Sequence, residues 1–343
     1  MSNRAKNLVT TALFLGGVAV LVALARSIGL EPLRRHAREL LWFVPAGVAL
    51  QFLVHFVNAL GWYHAIEPRA RARLPLWQCF LAWNSGDLVN WATPGAIGGE
   101  YVRAHQVRDR VPMSTGIASV TVARLSQITA QFAFVGLALA LSWSRLALGP
   151  TERLVVLVVV GGAVVFVAGN YALQRTRMFG WVVAGLRRAG ARGSLMDRVD
   201  AALRRIDAEM GQYHDEAPGD FYRSIAWFFL GWALQLLDVV MILYALDVPM
   251  DWRAVLAIEA LAVFVEAIAF LVPGKVGADE GGRVLIFEGL GYAGAVGLGF
   301  SLFRRARELI WFGFCLAVLF WLRRRVDAKL SGPCESPSTP AAS

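Results

Sequence analysis

The sequence predicts an all-α polytopic integral membrane protein, with about six full spanning helices and two Pro-Gly re-entrant hairpins related as an inverted repeat. Three observations carry this reading. Of 343 residues, 57 % are hydrophobic and only 17 % are charged, and mean hydropathy is +0.52, well outside the range of an ordinary soluble domain. A Pro-Gly break followed by glycines and Glu-x-x-Arg occurs twice. Arginines gather between apolar runs, several of which reach the about 20 residues needed to cross a bilayer.

In chain order, Leu8 to Ala25 is apolar after Arg4 and Lys6 and is followed directly by Arg26. It lacks a small-residue cleavage site and reads as a first span rather than a signal peptide. Arg26 to Glu39 is a basic connector. Leu40 to Ile66 is a second span, ending in Trp62-Tyr63-His64, a cluster suited to a membrane interface. Leu76 to Ala92 carries Asn84, Ser85, Asp87 and Asn90, too polar to face lipid all round, and reads as a half-helix. Thr115 to Trp143 and Arg153 to Leu173 are spans. The segment 174–220 is rich in arginine, and Leu195, Val199, Leu203, Ile206 and Met210 recur at helical spacing within it. It reads as a cytoplasmic loop carrying a surface helix. Phe221 to Leu246 spans again, Arg253 to Val272 is the second half-helix, and Ala293 to Leu322 is the last span. Residues 1–330 thus form one transmembrane domain, and the Ser/Pro-rich 331–343 reads as a disordered tail.

The two motifs organise this chain. The first runs Thr93-Pro94-Gly95-Ala96-Ile97-Gly98-Gly99-Glu100-Tyr101-Val102-Arg103, and the second Val272-Pro273-Gly274-Lys275-Val276-Gly277-Ala278-Asp279-Glu280-Gly281-Gly282-Arg283. Pro stops a helix and Gly permits the turn after it, so Pro94, Gly95, Gly98, Gly99, Pro273, Gly274 and Gly277 mark re-entrant turns. Each copy has a further arginine 21 residues beyond its first, Arg124 and Arg304. The repeat units cover about 76–143 and 253–322. Irregular backbone at membrane depth persists only when buried in protein or lining a wet cavity, and transporters build substrate sites from such broken helices. Six spans and two hairpins put both termini on one side. The arginine-rich loop and Arg323 to Arg325 make that side the cytoplasm.

Net charge is +9. Because the arginines lie in loops between apolar runs, membrane orientation and anionic lipid account for them, and nucleic acid is excluded as a partner. Three cysteines and five scattered histidines give no disulfide framework and no metal spacing. No cofactor motif is present.

Candidate substrate-binding residues are Arg124, Arg304, Arg305, Arg103 and Arg283, with Glu100, Glu280, Asp87, Asn90 and Glu266. An intramembrane charge costs at least about 2.5 kcal/mol, so each requires a partner or a ligand. Arginine holds phosphate or carboxylate bidentately. Glu and Arg three apart share a helix face, so each Glu-x-x-Arg is expected to form an internal pair, and Arg304 is expected to meet Glu308 four residues on. No catalytic nucleophile is legible.

The stretch from Asn90 through Glu100, paired with Val272 through Gly282, resembles the lysylphosphatidylglycerol synthase transmembrane-region family, also called flippase-like. The run from Phe270 to Glu308, with Phe303-Arg304-Arg305-Ala306-Arg307-Glu308-Leu309, is similar to its hopanoid-biosynthesis-associated members, although Glu100 stands where that branch tends to have Asp. The resemblance implies a bacterial inner-membrane protein that moves or handles lipids. A flippase for a polar-headed or anionic lipid is the leading expectation, a hopanoid or a phospholipid being the cargo. An intramembrane lipid-modifying enzyme using paired carboxylates, or an accessory subunit working with lipid-synthesis proteins, are the alternatives.

Overall fold

The computed structural model describes residues 26, 38–92, 98–145, 154, 157–158, 160–162, 164–169, 178–188, 193–269 and 277–330. Among these there are helices and no strands. The elements are α1 (Val44–Ala65), α2 (Pro68–Arg71), α3 (Leu76–Ala92), α4 (Gly99–Gln106), α5 (Met113–Ser142), α6 (Met178–Arg188), α7 (Ser194–Glu216), α8 (Pro218–Ala245), α9 (Trp252–Ala269), α10 (Ala278–Gly289) and α11 (Gly294–Leu330). The run Leu8 to Ala25, the turn residues Pro94, Gly95, Pro273 and Gly274, and the tail 331–343 lie outside the described residues. The run Arg153 to Leu173 is described in part, as helix where it is described.

Among the described residues three helices are long and apolar enough to cross a membrane: α1, α5 and α8. The last long helix, α11, reaches 37 residues, but Arg304, Arg305, Arg307 and Glu308 interrupt its apolar character. Prolines start several elements: Pro45 lies in the first turn of α1, and Pro68 and Pro218 open α2 and α8. There the missing N–H would have had no helical partner anyway.

Between spans there is no hydrophobic driving force, because lipid is as apolar as leucine, so close packing and hydrogen bonds hold the helices together. The principal core joins α1, α3, α4, α5, α7 and α8 around the fully buried Trp62, Trp83 and Phe228. Trp62 Nε1 donates to Ser119 Oγ at 3.1 Å, which in turn donates to the Gly116 carbonyl at 2.7 Å. A second core joins α8, α9, α10 and α11 around Phe287 and Phe300.

The helix contacts have an internal regularity. Helix α3 packs on α4 and α4 on α5; likewise α9 packs on α10 and α10 on α11. Helix α1 packs on α3 and α5, as α8 does on α9 and α11. Across the halves, α5 lies against α8 and α9 while α11 lies against α1 and α3. Exchanging α1, α3, α4 and α5 for α8, α9, α10 and α11 therefore leaves this set of contacts unchanged, and the α1–α8 contact maps onto itself.

The amphipathic helix α7 does not leave its apolar side to lipid. Ile206, Met210 and Tyr213 are buried in the principal core, with α7 packed against α5 and α6. Tyr213 Oη donates to the His64 carbonyl at 2.9 Å, and burial pushes its phenol pKa up. On the outer side, a hydrogen bond from Arg204 holds the Asp200 carboxyl below the usual carboxylate range.

Candidate functional site

After each Pro-Gly motif the next helix begins on a glycine in the left-handed region, Gly98 (φ 107°) before α4 and Gly277 (φ 79°) before α10. A side chain there would be strained. Each glycine stands four residues after its proline, so the extra residue of the second motif falls inside the helix. Glu280 is consequently the third residue of α10, where its Oε2 accepts the Gly277 N–H at 2.6 Å, closing half of a capping box. Glu100 is the second residue of α4 and cannot reach back in this way. Its Oε1 accepts instead from Asn90 Nδ2 at 3.4 Å, while Asn90 Oδ1 accepts the Gly99 N–H at 2.9 Å. Asn90 thereby ties the end of α3 to the start of α4. The two helices touch closely: a Cβ on Gly99 would sit 2.3 Å from the Gly86 carbonyl oxygen.

In the first half, Arg103 is 3 % exposed. Its guanidinium lies 3.7 Å over the Trp83 ring and its Nη2 donates to Asp87 Oδ1. The opposite carboxylate oxygen, Asp87 Oδ2, is 3.3 Å from His55 Nδ1. His55 in turn meets Gln51 Nε2 at 2.8 Å through its Nε2 and stacks on Trp311 with ring centroids 5.1 Å apart. Arg124 differs from Arg103. It is exposed, it is the twelfth residue of the 30-residue α5, and its Nη1 donates to Gln127 Oε1 at 3.1 Å. Among the described residues it has no ion pair. It lies close enough to bear electrostatically on Asp87 and Arg103.

The second half is built on the same plan but is charge-saturated. Arg283, also 3 % exposed, donates to Glu266 Oε1 at 3.0 Å and Asp279 Oδ1 at 3.2 Å, with its guanidinium 5.2 Å from the Phe300 ring centroid. Arg304 is buried; it donates to Glu259 at 3.1 Å and to Gln235 Oε1 at 2.7 Å. Arg305 meets Glu280 at 2.7 Å, and Arg307 donates to Asp238.

Some expectations from the sequence change accordingly. The Glu-x-x-Arg residues share a helix but do not bond one another: Arg103 turns to Asp87, and Arg283 to Glu266 and Asp279. Arg304 is bound by Glu259 and Gln235, from α9 and α8, rather than by Glu308. Glu259 and Glu266, two turns apart on α9, each hold an arginine of their own, Arg304 and Arg283. The structure also adds residues that sequence reasoning missed: His55, Gln51, Trp83 and Trp311 around Asp87, and Arg307 beside Asp238. The only local signal for these was a histidine and a glutamine at helical spacing inside an apolar run.

Beside the first site a shallow apolar groove opens between α3 and α11, lined by Phe80, Leu81, Trp311, Phe314 and Val318, with Asn84 among its polar groups. The described residues contain no group of three or more metal-ligating side chains, and Cys79 and Cys315 are buried free thiols. The arrangement as a whole is a set of buried arginine–carboxylate pairs with one exposed guanidinium, that of Arg124, near the first of them.

Comparison with known proteins fits this architecture. No curated protein and no solved structure matches the chain. The family described as Lysylphosphatidylglycerol synthase TM region, a membrane family linked to lipid metabolism, matches residues 8–325, almost the whole apolar region, and the chain belongs to that family.

Proposed function

We propose that this protein binds an anionic, polar-headed lipid at its first half-helix pair and carries it between leaflets. The observation that carries the reading is the contrast between Arg124 and Arg304. They occupy equivalent places in the repeat, yet Arg304 is buried between Glu259 and Gln235 while Arg124 is exposed in the middle of an apolar helix. An uncompensated guanidinium at that depth is costly, and a lipid phosphate or carboxylate supplies the missing partner bidentately. The neighbouring groove offers an apolar surface against which a chain can lie. Arg103, Asp87, Asn90 and Glu100 hold the half-helix ends in place, and Arg283, Glu266, Glu280, Arg304 and Arg305 form the matching, closed side. In this reading the hairpins are re-entrant and inverted with respect to the membrane, the termini face the cytoplasm of a bacterial inner membrane, and phospholipids and hopanoid-linked lipids are the cargo candidates. Lipid-synthesis proteins are the partners it would serve.

The lipid-modifying alternative needs a carboxylate available for proton transfer; Asp87, Glu259, Glu266 and Glu280 are each engaged by a guanidinium, which leaves it Glu100, hydrogen-bonded to Asn90. The test is reconstitution of the full chain in vesicles with head-group-labelled lipids. Faster loss of leaflet asymmetry for anionic than for uncharged lipids, abolished by Arg124→Ala, is expected. Movement no faster than in protein-free vesicles would overturn the proposal.

A further inference from the structure

We propose that His55 is a proton-binding site that sets the charge of the first half-helix site, so that proton uptake and anionic-lipid binding are linked. The inference rests on the lipid-binding reading above and supplies it with a coupling ion. Histidine is the side chain whose ordinary titration falls in the physiological range, and here it sits among groups that accommodate both of its charge states. The ring is buried, 8 % exposed, within α1. Its Nδ1 faces Asp87 Oδ2 at 3.3 Å but lacks a well-aligned hydrogen bond. Its Nε2 lies 2.8 Å from Gln51 Nε2. An amide NH2 only donates, so in this arrangement Nε2 accepts and the ring proton belongs on Nδ1, toward Asp87.

A proton given up by a hydronium ion, which leaves as water, adds to the Nε2 lone pair and displaces the hydrogen bond that Gln51 Nε2 donates there. The resulting Nε2–H needs an acceptor, and Gln51 supplies one by turning its amide so that Oε1 replaces Nε2. Asp87 stays opposite Nδ1–H as the counter-charge. Both states therefore give Nε2 a hydrogen-bond partner, which a hydrophobic neighbour in place of Gln51 would not allow.

The charged groups around this ring decide what the proton does. From α3 comes Asp87, from α4 Arg103 and Glu100, and from α5 Arg124. From α11 come Trp311, stacked on the ring, and the Cys315 thiol, hydrogen-bonded to Asn84 beside Asp87. Farther along α11, Arg307 is already neutralised by Asp238 of α8. Two arginines and two carboxylates make the first site neutral overall while the ring is neutral. The added proton makes it cationic beside the exposed Arg124, which favours an anion. When the lipid leaves, the proton is held less tightly, as reciprocal linkage requires.

The test is titration of short-chain phosphatidylglycerol into the detergent-solubilised full chain between pH 5 and 8, with sulfate titrated in parallel. Binding of the lipid should tighten about tenfold or more as pH falls through the histidine range, and His55→Gln should hold it at the weak, high-pH level throughout. Should His55→Gln not fold, the isosteric Gln51→Glu carries the test. A carboxylate beside Nε2 should move the midpoint of the pH response upward by about one pH unit or more. Lipid binding that is independent of pH, or an unmoved midpoint in Gln51→Glu, overturns the proton site and leaves the lipid reading intact. A pH response seen for sulfate but no binding of the lipid supports the proton site and overturns the lipid reading. No binding of either anion at any pH overturns both.

Discussion

Asp87 and Glu266 each stand seven residues before the proline of their motif, and each binds the buried arginine that follows the turn. In both halves an acid on the incoming helix thus clamps an arginine on the outgoing helix, over an aromatic ring. Removing Asp87 leaves the buried Arg103 guanidinium without its carboxylate, a loss of about 3–5 kcal/mol for a pair of this kind, and removing Glu266 takes one of two carboxylates from Arg283. Asp87→Ala and Glu266→Ala should each lower the thermal unfolding temperature of the detergent-solubilised protein. The Glu266 variant should be milder, because Asp279 still holds Arg283. Equal, negligible shifts would mean that the clamps do not support the fold.

Arg124 and Arg304, alike in sequence, should behave oppositely. Arg124→Ala is expected to leave the protein folded, removing an exposed charge, while abolishing anionic-lipid movement in vesicles. Arg304→Ala should instead deplete folded protein from the membrane, since it strands Glu259. Size-exclusion profiles and vesicle transport measured on the same preparations separate the two outcomes.

Arg124→Lys tests the manner of recognition. Lysine keeps the charge but loses the planar fork, so transport should persist at a reduced level, roughly a tenth of the parent. Parent-level transport in this variant would argue against bidentate contact.

The two glutamates of the repeated motif should also diverge. Glu100→Gln retains an oxygen for Asn90 Nδ2 and should change stability little. Glu280→Gln keeps the bond to the Gly277 N–H but withdraws the charge facing Arg305, and should destabilise measurably. Mass spectrometry of lipids from vesicles holding the parent protein should reveal no covalently altered species. A product that vanished in either Gln variant would favour an enzyme.

Topology is open to direct measurement. In a Cys334→Ser background, Gly95→Cys and Gly274→Cys should label from opposite faces of the membrane, Cys79 and Cys315 being buried. Labelling of both from one face would point to a parallel rather than an inverted arrangement.

Much of this architecture was legible because its signals are local. The Pro-Gly breaks, the polar residues of 76–92 and the doubled Glu-x-x-Arg each lie within a few turns of chain, and helices α3, α4, α9 and α10 lie on either side of those breaks. The partners of the charges were not legible. Glu259 reaches Arg304 across 45 residues and Gln235 across 69, distances over which spacing says nothing about direction. The single extra residue before Glu280 turns its side chain by about 100° around the helix axis, enough to send it to its own helix start rather than to a neighbour. His55 is a lone polar ring in an apolar run, and only the fold brings Asp87 and Trp311 to it.

The contact between α1 and α8, the one that maps onto itself when the halves are exchanged, has a status like the axis of a homodimer. Every other contact of that exchanged set occurs as two independent versions, so one version can drift toward a new task while its twin keeps the framework standing; the open surroundings of Arg124 and the closed ones of Arg304 are such a divergence. The α1–α8 seam has no twin to fall back on. There each half meets the image of itself, Gly61 taking the Phe228 ring at a distance that leaves no room for a methyl group. Any rocking of one half against the other must pivot on that seam or slide along it, and a bulkier residue at position 61 would act as a wedge in the hinge of the whole molecule.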